Sequence, residues 1–316
     1  MDQQKIETLC SDWRASIKSG DGFLLNNLIT KHELNQNGIE PHLLDFTNLA
    51  ITGSEIGKNL LFAKDSCYIG QDHYLFWTWT ASLLLDSHPC KTPNPITNDR
   101  DIKFLLESCI STLLAHPTHI LNNLSTIPQT VLLNNSSDMG FYLCFPLLES
   151  LSRLSSSEHL SRDGKVIKRF TIPKSRHKKE NTYGIGSKCS RLQDALYLAV
   201  DGIPNPTLKI KTQQLIDSLE NFSDNDNNGY EYLFDLRNSA LHAGISKGSI
   251  TATLVTISIL LALSLIEPQY NTLAQWARIN SIHQRANPRN IHSWHTYYAK
   301  IYSIEICCQY EWHDLT

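Results

Sequence analysis

Arg237 and His242 stand five residues apart in FDLRNSALHAG, residues 234 to 244, with Asn238 directly after the arginine. A guanidinium is permanently charged and planar, suited to bidentate contact with phosphate, and an imidazole is the side chain that exchanges protons near neutrality. Asn238 lies four residues before His242, in the same helical column, where its amide can orient the ring. These residue types at this spacing suit acid–base chemistry on a phosphate group.

Positioning them falls to one helix. Asp226 or its Asn neighbours can cap a helix from about Gly229 to His242, and Gly244 stands where a left-handed C-terminal cap belongs. Tyr230, Leu233, Phe234, Arg237, Ala240 and Leu241 fall on one stripe, which predicts Arg237 at the centre of an apolar face. A guanidinium there needs an anion, carbonyl groups or a subunit interface. His242 is about 140° around the helix from Arg237, so the two meet only if the chain bends in the last turn.

Arginine, asparagine, three further residues and histidine, with apolar residues before and Ala-Gly after, resembles the signature of the HEPN superfamily, and its Apea-like branch most. The resemblance extends over about residues 126 to 266: FPLLESLSRL (145 to 154) is similar to a first family helix and the helix near 191 to 200 to a second. It implies an all-α, four- or five-helix bundle that pairs as a homodimer and cleaves RNA without metal or cofactor, in toxin or antiviral systems. Arg237, Asn238 and His242 would then be the catalytic residues. Two such sets facing each other across a two-fold axis would bring two imidazoles and two guanidinium groups to one phosphate. An antitoxin or other regulatory protein is a possible further partner.

Arg278 and His283 (RINSIH) repeat the spacing on an amphipathic helix. Arg153 to His159, Arg285 to His292 and Arg289 to His295 fall in the same range. Only the 237 to 242 pair has a capped helix before it, a glycine stop after it and a long apolar helix following.

RDGKVIKRFTIPKSRHKK, residues 162 to 179, holds eight Lys or Arg against one Asp, a local charge of +7 in a chain whose net charge is -3. Lys165, Lys168, Arg169, Lys174, Arg176, Lys178 and Lys179 are therefore the expected RNA-binding residues, contacting phosphates without reading sequence. The segment reads as a loop.

The 316 residues, 41% of them hydrophobic, are enough for one full core or two compact units. The near-neutral total charge excludes a global basic field, so any polyanion contact must be local. Helical periodicity dominates, as over Ile102 to Leu114, and alternating strands are not evident, which predicts an all-α fold. The expected organisation is a helical N-terminal region (1–125), a HEPN-like domain (126–266) and C-terminal helices (267–316) closing or extending the bundle. Ile250 to Ile266 is shorter than the roughly 20 residues of a spanning helix and is read as a buried helix rather than a membrane segment.

The opening MDQQKIETLCSDWR lacks a basic start followed by an apolar stretch, so a cytoplasmic protein is expected. The eight cysteines show no Cys-x-x-Cys spacing and are read as reduced thiols. HPTH (116 to 119) and HSWH (292 to 295) lack the glutamate of a zinc protease, and GIGSKCSR (184 to 191) lacks the Asp-x-Asp of a nucleotidyltransferase, so no metal site is expected.

Overall fold

The computed structural model describes residues 41–61, 71–86, 94–114, 136–174, 180–223, 227–242 and 250–286. In chain order these form a 3-10 turn (Pro41–Leu43), α1 (Phe46–Leu61), α2 (Gln71–Leu85), α3 (Pro95–Asn98), α4 (Arg100–Leu114), α5 (Ser136–Ser155), β1 (Phe170–Ile172), β2 (Asn181–Tyr183), α6 (Leu192–Asp201), α7 (Pro206–Asp217), a 3-10 turn (Ser218–Phe222), α8 (Gly229–Leu241), α9 (Thr251–Ile266), a 3-10 turn (Glu267–Gln269) and α10 (Tyr270–Ala286). Among the described residues the fold is all-α with one small antiparallel hairpin.

α9 is the hub. Its sequence, TATLVTISILLALSLI, has no polar face, and every residue from Thr251 to Leu263 is buried. Such a helix folds only if neighbours surround it, and α1, α4, α5 and α7 do so. Its hydroxyls are satisfied internally: Thr256 Oγ1 donates to the Ala252 carbonyl at 2.8 Å and Ser258 Oγ to that of Leu254 at 2.9 Å. Thr253 Oγ1 reaches across to the Gly57 carbonyl of α1 at 3.1 Å. That approach requires a glycine, because a Cβ at Gly57 would lie 2.8 Å from Leu215 and 3.2 Å from Thr256. The helical stretch from Thr251 to Arg278 is long and apolar enough to cross a membrane, yet its apolar window is 78% buried inside this protein.

Helices from both sides of residue 125 contribute to one hydrophobic cluster: Leu49 and Ile56 of α1 and Trp77 of α2 share it with Leu148, Leu196, Leu233 and Leu260. α4 presents Ile102, Leu106, Cys109, Ile110 and Leu113 inward, the periodic face expected of it. α5 continues through Pro146, whose side chain is on the exposed side. α7 begins at Pro206, because Asn205 caps it through Leu208 N at 2.9 Å and Pro206 occupies the first helical position, where no N–H is needed.

The basic segment departs from its expected loop. Thr171 pairs with Thr182 at the centre of the β1–β2 ladder, and Leu160, Val166, Phe170, Ile172 and Cys189 form a small satellite core beneath it with Ala195 of α6. Four apolar residues spaced among the charges suffice to fold a segment whose composition reads as mobile.

Candidate functional site

α8 is fixed at its start. Asn228 accepts from the N–H groups of Tyr230 and Glu231 at 3.0 and 3.1 Å, so the expected cap is one of the asparagines. The buried Tyr230 donates its hydroxyl to Gln213 Oε1 of α7 at 2.6 Å, and Gly229 sits against the Ile216 carbonyl, where a Cβ would overlap. α8 is thereby clamped on α7 and lies against α5 and α6.

This clamp rotates the buried face away from the expected stripe. Tyr230, Leu233, Leu236 and Ala240 point inward, whereas Phe234 is half-buried and Leu241 is 63% exposed. The shift is roughly 50° at 100° per residue. Arg237 consequently sits at the edge of the buried face, with its side chain 25% exposed, and not at its centre.

Its guanidinium is held on two edges. Nε donates to Glu149 Oε1 of α5 at 2.9 Å, Nη2 lies 2.9 Å from the same oxygen, and Nη1 donates to Asn238 Oδ1 at 3.3 Å. Glu149 Oε2 accepts in turn from Arg153 Nη2 at 3.5 Å. One carboxylate is thus shared between two guanidinium groups. The i, i+4 spacing of Glu149 and Arg153 suggests only an intrahelical pair, and nothing local announces a third partner 88 residues away.

His242 ends the helix. Its backbone (φ -97°, ψ 24°) leaves the helical region, its N–H donates to the Asn238 carbonyl at 3.1 Å and its side chain is exposed. Asn238 therefore links the pair by its main chain to His242 and by its side chain to Arg237. The side-chain oxygen of Asn238 is engaged by Arg237. Gly244 lies outside the described residues.

The basic segment starts beside this network. Gly164, at φ +81°, wraps its turn over Arg153, and a Cβ there would come within 3.3 Å of Arg153 Nε and 3.0 Å of the Cys189 carbonyl. Lys165, Lys168, Arg169 and Lys174 are exposed on the turn and hairpin, and among the described residues their one ion-pair contact is a loose 3.8 Å approach between Lys168 and Glu158. Arg162 is committed elsewhere, bridging Asp99 at 3.0 Å and Asp101 at 2.8 Å. Arg176, Lys178 and Lys179 lie outside the described residues.

A buried anchor that sequence reasoning missed ties the hairpin to the bundle. Asp194, in the first turn of α6, accepts from Tyr183 Oη at 2.6 Å and from Asn181 Nδ2 at 3.2 Å. Burial and the Asp194 carboxylate raise the Tyr183 hydroxyl well above the ordinary tyrosine range. The Cys189 thiol is pushed up to about 11, by burial first and by Asp194 second.

The rival pairs have structural employment. Arg278 donates Nε to the His42 carbonyl at 2.7 Å and lies 6.0 Å from the centre of the Trp79 ring, tying α10 to the start of the described chain. His159 packs edge-on against Phe170 of the hairpin. Arg285, Arg289 and their histidine partners carry no described side chains, and HPTH and HSWH lie outside the described residues. GIGSKCSR is an exposed turn around Gly186 (φ +85°) leading into buried Cys189. Cys109, Cys144 and Cys189 are free and buried. Among the described residues no group of three His, Cys, Asp or Glu side chains is placed to hold one metal ion. Compared with protein-family models, with curated proteins and with solved structures, the chain has no match.

Proposed function

We propose that the chain is a HEPN-type, metal-independent endoribonuclease in which His242 transfers protons, Arg237 stabilises charge on the reacting phosphate and Asn238 steers the guanidinium. The observation that carries this reading is the holding of Arg237 on two edges by Glu149 and Asn238, on the helix that ends in an exposed His242. A guanidinium fixed in advance stabilises developing negative charge without reorganising during the reaction.

Cleavage by the neighbouring 2′-hydroxyl needs a base for that hydroxyl and an acid for the departing 5′-oxygen. One imidazole cannot do both at once, so the reading includes a homodimer that supplies a second His242. Lys165, Lys168, Arg169 and Lys174 supply sequence-independent phosphate contacts beside the network. A toxin or antiphage effector held in check by a regulatory protein is the biological setting this chemistry fits.

The Glu149 pair also favours a second reading, a non-catalytic HEPN-like module that binds RNA or nucleotides, because a carboxylate partly neutralises Arg237. Chemistry separates the two. An RNA with a single 2′-deoxy substitution at a mapped cut site should resist cleavage there, and the unmodified RNA should yield a 2′,3′-cyclic phosphate end. Cleavage of the deoxy substrate at an equal rate contradicts the nuclease mechanism; binding without any cleavage favours the module.

A further inference from the structure

A cavity of about 230 Å³ opens between the start of α4, the end of α5 and the 160–162 turn. It is smaller than the roughly 300–1,000 Å³ of pockets that enclose drug-sized ligands, so it suits a single ring system. Its apolar wall is Ile102, Leu154 and Leu160; its polar wall is Arg153, Arg162 and the two aspartates, Asp99 and Asp101, with Ser150 and Ser157 at the edge. Two guanidinium groups and two carboxylates balance, so the cavity favours no free anion or cation. It favours a flat, neutral group that both donates and accepts hydrogen bonds.

Donors and acceptors remain available on both sides. Arg162 spends Nη2 on Asp99 and Asp101, and among the described residues no bond engages Nε or Nη1 of its five N–H donors. Asp101 is bound to Arg162 through Oδ2, and its side chain is 79% exposed. Among the RNA bases only guanine presents two adjacent donors, N1–H and the N2 amine, for a carboxylate together with the acceptors O6 and N7 for an arginine. Splayed-out bases in single-stranded RNA are held in this manner, by their edges and against guanidinium planes.

Position links the cavity to the ion-pair network. Arg153 lines it and also bonds Glu149, one turn earlier on α5. A helical turn rises about 5.4 Å, so the cavity begins within reach of a nucleotide adjoining the Arg237 site. We propose that this cavity is a base subsite that seats one guanine of single-stranded RNA beside the phosphate at Arg237. This inference rests on the nuclease reading for its biological use, but the guanine contact itself is testable without catalysis.

The test titrates the full chain calorimetrically with guanosine, inosine and adenosine monophosphates, and maps cut sites in a random-sequence RNA. Asp101→Asn and Ser157→Trp, both at exposed positions, serve as variants. Expected are binding of the guanine nucleotide at least about tenfold tighter than the adenine one, weaker binding of inosine, which lacks the N2 amine, and loss of the difference in both variants. Guanine should also be enriched next to cut sites in the wild type and not in Asp101→Asn.

Equal binding of guanine and adenine nucleotides, no guanine binding at millimolar concentration, or binding untouched by Ser157→Trp overturns the subsite, even if His242-dependent cleavage is observed. Selective guanine binding that both variants abolish, in a protein that cuts no RNA, retains the subsite and removes the nuclease reading.

Discussion

Arg237 and Glu149, 88 residues apart, meet side-on: Nε donates to Oε1 at 2.9 Å and Nη2 lies at the same distance from that oxygen. The other carboxylate oxygen takes Arg153 at 3.5 Å. Because the Arg237 contact is much the shorter, it dominates the carboxylate, and Glu149 holds the Arg237 guanidinium in place.

Glu149→Gln therefore loosens the guanidinium while keeping one acceptor for it. Cleavage of a single-stranded RNA should fall about 10–100-fold, the scale set by misplacement of a catalytic group. The stability change should stay near 1 kcal/mol, since the carboxylate charge between the two guanidinium groups is lost while Arg237 keeps an amide oxygen as acceptor. Initial rates and urea unfolding of the same preparation check both. A rate equal to wild type would show that the pair is only structural.

Acid should destabilise the fold through His42. Its ring is buried edge-on against Trp79, and burial, followed by the Arg278 charge, lowers its pKa from the ordinary 6.5 to about 3. The folded state holds the ring neutral while the unfolded chain takes up a proton below about 6.5, so stability is full above that pH and is lost as pH falls toward 3. At 1.36 kcal/mol per unit, the loss reaches roughly 3 kcal/mol by pH 4. His42→Phe should flatten this part of the curve, because Arg278 bonds the residue 42 carbonyl and not its ring. Unfolding midpoints from pH 7 to 4 for both proteins measure it.

The hairpin anchor can be loosened on its own. Tyr183→Phe removes the 2.6 Å bond to buried Asp194 and should cost about 1–3 kcal/mol. Cys189, whose thiol is pushed up to about 11, should resist alkylation at pH 8 in the wild type and label faster in the variant as the hairpin opens. Mass spectrometry of the labelled peptides reads this directly.

Neutralising Lys165, Lys168, Arg169 and Lys174 to glutamine should weaken RNA binding evenly across sequences. The slope of log affinity against log salt should shrink by up to about 0.7 for each phosphate that these side chains no longer neutralise. An unchanged slope would place the RNA path elsewhere.

Much of the fold is legible in residue order because local rules govern it. The 3.6-residue periodicity of α4, the asparagine cap of α8 and the charge-free, mostly apolar run of α9 each follow from neighbouring residues. The small hairpin is hidden because its core comes from Leu160, just before the basic segment, and from Val166, Phe170 and Ile172 scattered among its cations, and charge density masks them. The face that Arg237 occupies depends on Tyr230 and Gly229 docking to α7, a long-range event that rotates the helix. The partner at Glu149 is invisible for the same reason: its nearest charge in sequence is Arg153, and only the packing of α8 on α5 reveals the other.

The central claim concerns one imidazole, and cleavage of mixed tRNA and single-stranded RNA in EDTA tests it most directly. Wild type, His242→Ala and Arg278→Ala are compared in parallel. Activity should vanish in His242→Ala, whose exposed position at the helix end makes the fold insensitive to the change, and persist in Arg278→Ala to the extent that the protein remains folded. Cleavage by His242→Ala at the wild-type rate would contradict the account.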